Sequence, residues 1–277
     1  RLHPTDAAMP GLGTAMGYRA DGQAPGVHLG VPSPSLTFIL SLDGPVVGAW
    51  SGDDLSAGRT EAGEVVLSGL HTHASYVRQP VRQEGIQFAV DPTWSRALFG
   101  VPASAVTGAI ADPVLGTRGR RLIEQVAENP DWRQRFDLVG QELRQWASAD
   151  TAPARPEMVE AWRWLVSRRG RASIGDLSHH VLLSERQLRQ EFRREYGVGP
   201  KEAARLIRFQ QATRRMAISV RCGRSLSLAG VAADSGYADQ AHLAREFSGF
   251  LGVSPSQWVA TERRNLQAGG HMYDAES

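Results

Sequence analysis

The chain has 277 residues, of which 42% are hydrophobic and 22% are charged, and these proportions are those of a globular protein with one or two domains. No apolar run reaches the roughly 20 residues of a membrane-spanning helix, so we expect no membrane partner. The single cysteine, Cys222, excludes an intrachain disulfide and a cysteine metal cluster, and it favours a reducing, cytoplasmic setting.

The positive charge of the protein is concentrated in the second half of the chain. Residues 1 to 154 contain 12 Arg against 16 acidic residues, whereas residues 155 to 277 contain 19 basic against 13 acidic residues. The two balances, −4 and +6, give the overall charge of +2. This asymmetry indicates that the second half meets a polyanion such as nucleic acid, although a solvated basic surface has the same composition.

The first half predicts a β-rich domain followed by helices. Residues 1–34 are rich in Gly and Pro and predict loops with short extended pieces. Short apolar runs between turns then predict strands of a sandwich or small barrel, at 36–42, 46–50, 64–70, 74–79 and 85–90. Helical patterns follow at 94–100, 103–110, 114–128 and 131–148. In the last of these, apolar residues at spacings of three and four form one stripe: Trp132, Phe136, Val139, Leu143 and Trp146.

A change in composition near residue 150 predicts a domain boundary. The stretch SADTAPARP (148–156) has the composition of a linker, and all of the chain beyond it has a helical pattern. We therefore expect four segments: a sensing or dimerisation domain at 1–148, a linker at 149–156, a DNA-binding domain at 157–264 and a flexible tail at 265–277.

One short pattern occurs twice in the second half, in SERQLRQEF (184–192) and GYADQAHLAREF (236–247). Five residues recur after 55 positions, as Leu188/Leu243, Phe192/Phe247, Gly197/Gly252, Val198/Val253 and Pro200/Pro255. Ser173 and Ser184 predict the N-caps of two helices in the first copy, as do Ser227 and Asp239 in the second. Each copy therefore predicts a short helix, a tight turn and a second helix with a polar face, which is a helix-turn-helix unit.

Between the two copies, residues 200–219 predict a single helix that opens with Pro200. About 20 helical residues span about 30 Å, close to the roughly 34 Å turn of B-DNA. One unit alone is more often a helical hairpin that forms a core than a DNA-binding element. Two units at this separation, in the basic half of the chain, favour a DNA-binding domain.

Residues 157–262 resemble the AraC/XylS family of bacterial transcription regulators. The stretch GYADQAHLAREFSGFLGVSPSQW (236–258) is similar to the family signature, and the first copy departs from it at Leu182, where a turn glycine is usual, and at Gln190, where an arginine is usual. The resemblance implies an α+β chain, with a cupin-like β-barrel or sandwich and helices, then an all-α domain of two helix-turn-helix units joined by a long helix. It implies double-stranded DNA as the partner, with a small-molecule effector, a homodimer and RNA polymerase as further candidates.

The recognition helices of such a protein are expected at about 184–195 and 239–250. Arginine pairs with guanine, glutamine with adenine, and alanine contacts the thymine methyl group. The expected base contacts are Arg186, Arg189, Gln190, Gln240, Ala241, His242 and Arg245, with a salt bridge to Asp239 or Glu246 as the alternative for Arg245. The expected phosphate contacts are Ser184, Arg193, Arg194, Lys201, Arg205, Arg208, Ser227 and Asp239.

The competing class is a cupin-type metal-dependent enzyme with a helical appendage. His71 and His73 would share one face of a strand and so approach one metal ion. His28 and Glu84 are the only plausible further ligands, and their spacing is unconvincing. We therefore expect no metal, no cofactor and no enzymatic activity, and we interpret the histidines as polar or pocket-lining residues.

Overall fold

Strands come first and helices follow in the part of the chain that the computed structural model describes, which is residues 2–4, 11–22, 24–108, 113–147 and 152–267. The strands are β1 (Leu2–Pro4), β2 (Leu12–Asp21), β3 (Gly26–Gly30), β4 (Leu36–Ser41), β5 (Val46–Ala49), β6 (Glu61–Gly63), β7 (Val65–Ser68), β8 (Ser75–Gln79) and β9 (Arg82–Val90). The helices are α1 (Gly52–Ser56), α2 (Ser95–Phe99), α3 (Gly116–Glu128), α4 (Trp132–Ala147), α5 (Pro156–Ser167), α6 (Ile174–His180), α7 (Glu185–Tyr196), α8 (Pro200–Arg221), α9 (Leu228–Asp234), α10 (Gln240–Leu251) and α11 (Pro255–Gln267). The predicted α+β class is confirmed.

The strands form two antiparallel sheets, with the orders β1-β2-β9-β4-β7 and β3-β8-β5-β6. Side chains alternate between the two faces of a strand, and one face of the larger sheet carries Phe38 and Phe88, which are fully buried. Phe38 lies 6.0 Å from the ring of Phe99 in α2 and 6.5 Å from that of Trp146 in α4. The main core of the N-terminal domain therefore lies between this sheet and the helices.

Helix α4 is held on the sheet by its apolar stripe and by a charged cluster. Arg135, which is 5% exposed, donates to Glu84 of β9 at 2.6 Å, and Arg19 of β2 donates to the same carboxylate. A Cβ atom at Gly17 would lie 2.4 Å from the Trp132 ring. The sheet therefore needs glycine at position 17 to let this helix approach.

The structure corrects two predictions for the N-terminal domain. Residues 12–21 form a ten-residue strand rather than loops with short extended pieces, because pairing with β9 offsets the weak strand propensity of its glycines. The predicted helix at 103–110 is wrong over its described part: a single 3-10 turn spans Ala103–Ala105, and Val106 is extended. Residues 109 and 110 lie outside the described residues.

The second half of the chain packs around two aromatic clusters. In the first, Trp162 of α5 stacks on Phe192 of α7, with ring centroids 5.8 Å apart. In the second, Phe209 of α8 lies 4.8 Å from Phe247 and 4.7 Å from Phe250, both in α10. Helix α8 contributes to both, because Ala203 and Ile207 belong to the core around the first cluster and Phe209 belongs to the second. Helix α11 extends to residue 267, and the rest of the predicted tail lies outside the described residues.

Candidate nucleic-acid interface

Two helix-turn-helix units, α6–α7 and α9–α10, lie on either side of α8. The N-caps predicted from the sequence are confirmed. The Ser184 hydroxyl accepts from the backbone N–H of Gln187 in a capping box, and the Asp239 carboxylate accepts from that of His242 at 2.6 Å. Ser173 and Ser227 cap α6 and α9 in the same way. These short-range hydrogen bonds fix the start of each helix and satisfy N–H groups there.

The residues that recur after 55 positions are the anchors of both units. Leu188 and Phe192 in α7, and Leu243 and Phe247 in α10, are fully buried. Each recognition helix ends at a glycine in the left-handed region, with a φ of 81° at position 197 and 70° at position 252. The repeated positions therefore build the scaffold, and the differing polar residues are left on the surface.

The turn of the first unit has a strained residue. Leu182 has a φ of 56° and its side chain is 90% exposed, whereas Gly236 at the corresponding turn has a φ of 79°. The Leu182 N–H donates to the His179 carbonyl at 3.3 Å, and the Gly236 N–H donates to the Ala233 carbonyl at 3.2 Å. The first unit thus keeps the same turn without glycine, and Leu182 adopts a conformation that costs an L-residue energy.

Most of the predicted base-contacting residues lie on the exposed face of their helix. Arg186, Arg189 and Gln190 are exposed on α7, and Gln240, Ala241 and Arg245 are exposed on α10, whereas His242 is half-buried. The His242 ring lies 5.2 Å from the Tyr237 ring in the turn. Whether these side chains read bases stays a prediction.

Two of these arginines differ in their surroundings. Arg189 forms an ion pair with Glu185 one turn earlier in α7. For Arg245, neither proposed intrachain partner is engaged with it: Asp239 caps α10, and Glu246 pairs with Arg205. Among the described residues, Arg245 therefore has a surface position without an ion pair, which leaves its guanidinium available for a DNA contact.

The predicted phosphate contacts fall into two groups. Arg194 and Lys201 are exposed, and Arg193 is exposed with a 3.2 Å ion pair to Glu202. Arg205 instead donates to the buried Glu246, and Arg208 donates to the Gly170 carbonyl. The N-caps Ser184, Ser227 and Asp239 are exposed at helix starts, where neighbouring N–H groups suit a phosphate. All eight remain predicted contacts, and the basic side chains of three of them, Arg193, Arg205 and Arg208, also have internal partners.

The N-terminal domain contacts the ends of both recognition helices, which the sequence did not reveal. Arg96 of α2 pairs with Glu195 at the end of α7, and the Ser104 hydroxyl donates to the Arg194 carbonyl at 2.6 Å. The Ala74 N–H donates to the Phe250 carbonyl at the end of α10, at 2.8 Å. These partners are too far apart in the sequence for any local pattern to indicate them.

The histidine pair lies in the loop between β7 and β8, not on a strand as predicted. His71 donates from Nδ1 to the His73 carbonyl at 2.7 Å if that nitrogen carries the proton. Burial lowers the pKa of His71, and this hydrogen bond opposes the shift only in part. Within the described ranges, no group of three or more His, Cys, Asp or Glu side chains is arranged to hold a metal ion.

A model of the helix-turn-helix domain family matches residues 177–261, which run from the middle of α6 into α11. The C-terminal domain is a DNA-binding domain of the AraC/XylS type. The chain is accordingly a DNA-binding transcription regulator, as its sequence predicts. No described helix is long and apolar enough to cross a membrane. No curated protein matches the chain significantly.

The whole architecture of the chain is similar to that of ToxT from Vibrio cholerae. A 1.65 Å structure of ToxT has a TM-score of 0.53 at 11% identity, with 89% of this chain and 97% of ToxT covered. ToxT bound to (E)-4-(8-methylnaphthalen-1-yl)but-3-enoic acid gives a TM-score of 0.52 at 12% identity over 90% and 98%. ToxT bound to an unsaturated fatty acid gives a TM-score of 0.51 at 12% identity, with 91% of this chain and 96% of ToxT covered. At these identities the likeness establishes the fold alone.

Proposed function

We propose that α7 and α10 enter successive major grooves on one face of a DNA duplex. The observation that carries this proposal is the length of α8, the 22-residue helix that joins the two units. At about 1.5 Å per residue it spans about 33 Å, which matches the roughly 34 Å turn of B-DNA. Each recognition helix also starts at a capped, exposed first turn, from which side chains can reach base edges.

The two units are expected to read different bases. Arg186 and Gln190 on α7 correspond by the 55-residue repeat to Ala241 and Arg245 on α10. An arginine fits guanine and a glutamine fits adenine, whereas alanine contacts the thymine methyl group. We therefore expect a DNA site with two different motifs, because corresponding positions of α7 and α10 carry different side chains.

Selection of bound sequences from a pool of random duplexes tests the proposal. We expect two short motifs whose centres lie about 10 base pairs apart, and binding that weakens steeply with salt because the basic domain neutralises phosphates. A single motif would restrict reading to one unit. Failure to enrich any sequence, together with salt-independent behaviour, would contradict the proposal.

We also propose that a small molecule binds between the N-terminal domain and the first unit. A cavity of about 210 Å³ lies there, and its lining includes Trp50, His71, Val106 and Tyr196. Support for a ligand-binding role comes from the fold, since two of the similar ToxT structures are complexes with organic acids. This cavity has no Lys or Arg in its described lining. A neutral, partly aromatic molecule therefore suits it better than a carboxylate does.

Calorimetric titration with matched probes, a neutral aromatic alcohol and the carboxylate of the same ring, tests this ligand class. We expect binding of the neutral probe only, and its loss in Trp50→Ala, because the indole ring forms a wall of the cavity. Tighter binding of the carboxylate would contradict the proposed chemistry. A homodimer and a contact with RNA polymerase stay predictions, the first of which sedimentation of the full chain would test.

A further inference from the structure

Two arginines of the DNA-binding domain, the half-buried Arg208 and the exposed Arg171, donate hydrogen bonds to backbone carbonyls at the junction of the two units. Arg208 of α8 donates from Nη1 to the carbonyl of Gly170, just beyond the end of α5, and its guanidinium lies 5.8 Å from the centre of the Tyr237 ring. Arg171 donates from Nη2 to the carbonyl of Asp234, the last residue of α9. Residues 170 and 171 belong to the first unit's side of the domain, and residues 234–237 form the turn of the second unit.

The backbone around these arginines fits closely enough to make the junction specific. Gly170 has a φ of 67°, and a Cβ atom there would lie 2.3 Å from the Ala204 carbonyl oxygen in α8. A Cβ atom at Gly236 would lie 2.9 Å from Cγ of Arg171. Glycine at these two positions therefore lets the loop at residues 170–171 lie between α8 and the second turn.

The contacts also account for the position of Tyr237, a buried aromatic residue that is not among the predicted DNA contacts. Tyr237 is 4% exposed, and its hydroxyl has no hydrogen-bond partner among the described residues. Its ring instead packs under Arg208 and beside His242, the third residue of α10. The Tyr237 ring therefore lies between Arg208 and the first turn of the second recognition helix.

We propose that Arg171 and Arg208 form a brace that sets the distance between the two recognition helices and thereby the spacing of the two DNA motifs. This inference rests on the proposed docking of α7 and α10 in successive grooves. Arg208 donates to a carbonyl on the first unit's side of the junction, and Arg171 donates to a carbonyl of the second unit. Neither arginine lies on a recognition helix. They act as positioning residues, whereas sequence-based reasoning assigned Arg208 to a phosphate.

The test compares the spacing preference of the wild-type chain with that of Arg208→Lys and Arg171→Ala. The first variant keeps the charge but loses the planar group that both stacks and donates, and the second removes an exposed side chain. Each protein selects from the same pool of random duplexes. Its affinity is then measured for the best bipartite duplex and for duplexes with one base pair inserted or deleted between the motifs.

We expect both variants to select a broader range of spacings while recognising the same two motifs. The affinity ratio between the best and the altered spacing should fall by about twofold or more, the lower limit of the coupling seen within one residue network. Arg224→Ala is the matched control, because Arg224 is exposed in the loop after α8. It should leave the ratio unchanged.

Two results would overturn the brace. One is an unchanged spacing ratio in variants that thermal unfolding shows to be folded. The other is a weaker salt dependence of Arg171→Ala with an unchanged ratio, which would make Arg171 an ordinary phosphate contact. If the wild-type chain selects no paired motif, the proposed docking itself fails, and this outcome is distinct because it appears before any variant is made.

Discussion

Arg96 of the N-terminal domain donates from Nε and Nη2 to the two carboxylate oxygens of Glu195 in the last turn of α7, at 2.8 to 3.1 Å. The Glu195 side chain is only 8% exposed. Phe250, whose carbonyl accepts from Ala74, lies 55 residues after Glu195. The N-terminal domain therefore contacts the same position of the repeat in both recognition helices, and it is placed to influence both at once.

Replacing Arg96 with alanine should destabilise the protein by about 2–4 kcal/mol, because it leaves the buried carboxylate of Glu195 without its partner. Urea unfolding of the full chain measures the change. In Arg96→Ala/Glu195→Ala the loss should be smaller than the sum of the two single losses, since the second substitution removes the stranded charge. Additive losses would show that the ion pair contributes nothing to stability.

Replacing Leu182 with glycine should stabilise the protein. An L-residue in the left-handed region costs roughly 1–2 kcal/mol, and glycine returns part of this gain, about 0.5–1 kcal/mol, by making the unfolded chain more flexible. No burial is lost, because the leucine is 90% exposed. We expect a gain of up to about 1 kcal/mol in the free energy of unfolding. Leu182→Ala, which keeps the strain, is the matched control and should give no gain.

Replacing Arg245 with alanine should cost on the order of 1–3 kcal/mol in operator affinity and relax the preference at one base position. Competition of the variant against sequence-altered duplexes measures both effects. Lys201→Ala provides the contrast, because loss of a phosphate contact should weaken binding to all sequences alike and lower the salt slope by about 1. If neither Arg245→Ala nor Arg189→Ala changes the affinity, the recognition helices do not dock as proposed.

The helix-turn-helix units were predictable because their signals are local. A cap such as Ser184 and its partner Gln187 are three residues apart, and the anchors Leu188 and Phe192 are one turn apart, so each pattern is complete within a few residues. The exposed leucine at the first turn was visible for the same reason. Only the structure shows that Leu182 keeps the turn by adopting a φ of 56°.

The features that the sequence did not predict depend on contacts between distant residues. Strand β2 forms because β9 pairs with it along its length, and no local pattern within residues 12–21 indicates that partner. Arg205 and Arg208 lie on a helix in the basic half of the chain, where a phosphate-binding arginine would also be expected. Their partners, Glu246 and Gly170, lie 41 and 38 residues away. An arginine that stabilises a domain and one that binds DNA are alike in sequence and differ only in what the fold places beside them.

Glu84 should make the stability of the N-terminal domain depend on pH in the acid range. Burial by itself would raise the pKa of Glu84, but hydrogen bonds from Arg19 and Arg135 outweigh it and hold the pKa below its ordinary value of 4.5. Since the folded-state pKa is lowered, the stabilisation is complete above about 4.5 and is lost as the pH falls through the folded value.

Urea unfolding of the wild type and of Glu84→Gln between pH 7 and pH 3 measures this dependence. The variant should be less stable at pH 7 by about 2 kcal/mol, the range for hydrogen bonds to charged groups, and the gap should close as the wild-type carboxylate becomes protonated. Glu128→Gln, at an exposed position at the end of α3, should follow the wild type throughout. A gap that stays constant down to pH 3 would mean that the two arginines do not stabilise the ionised form of Glu84, because protonation would then remove nothing.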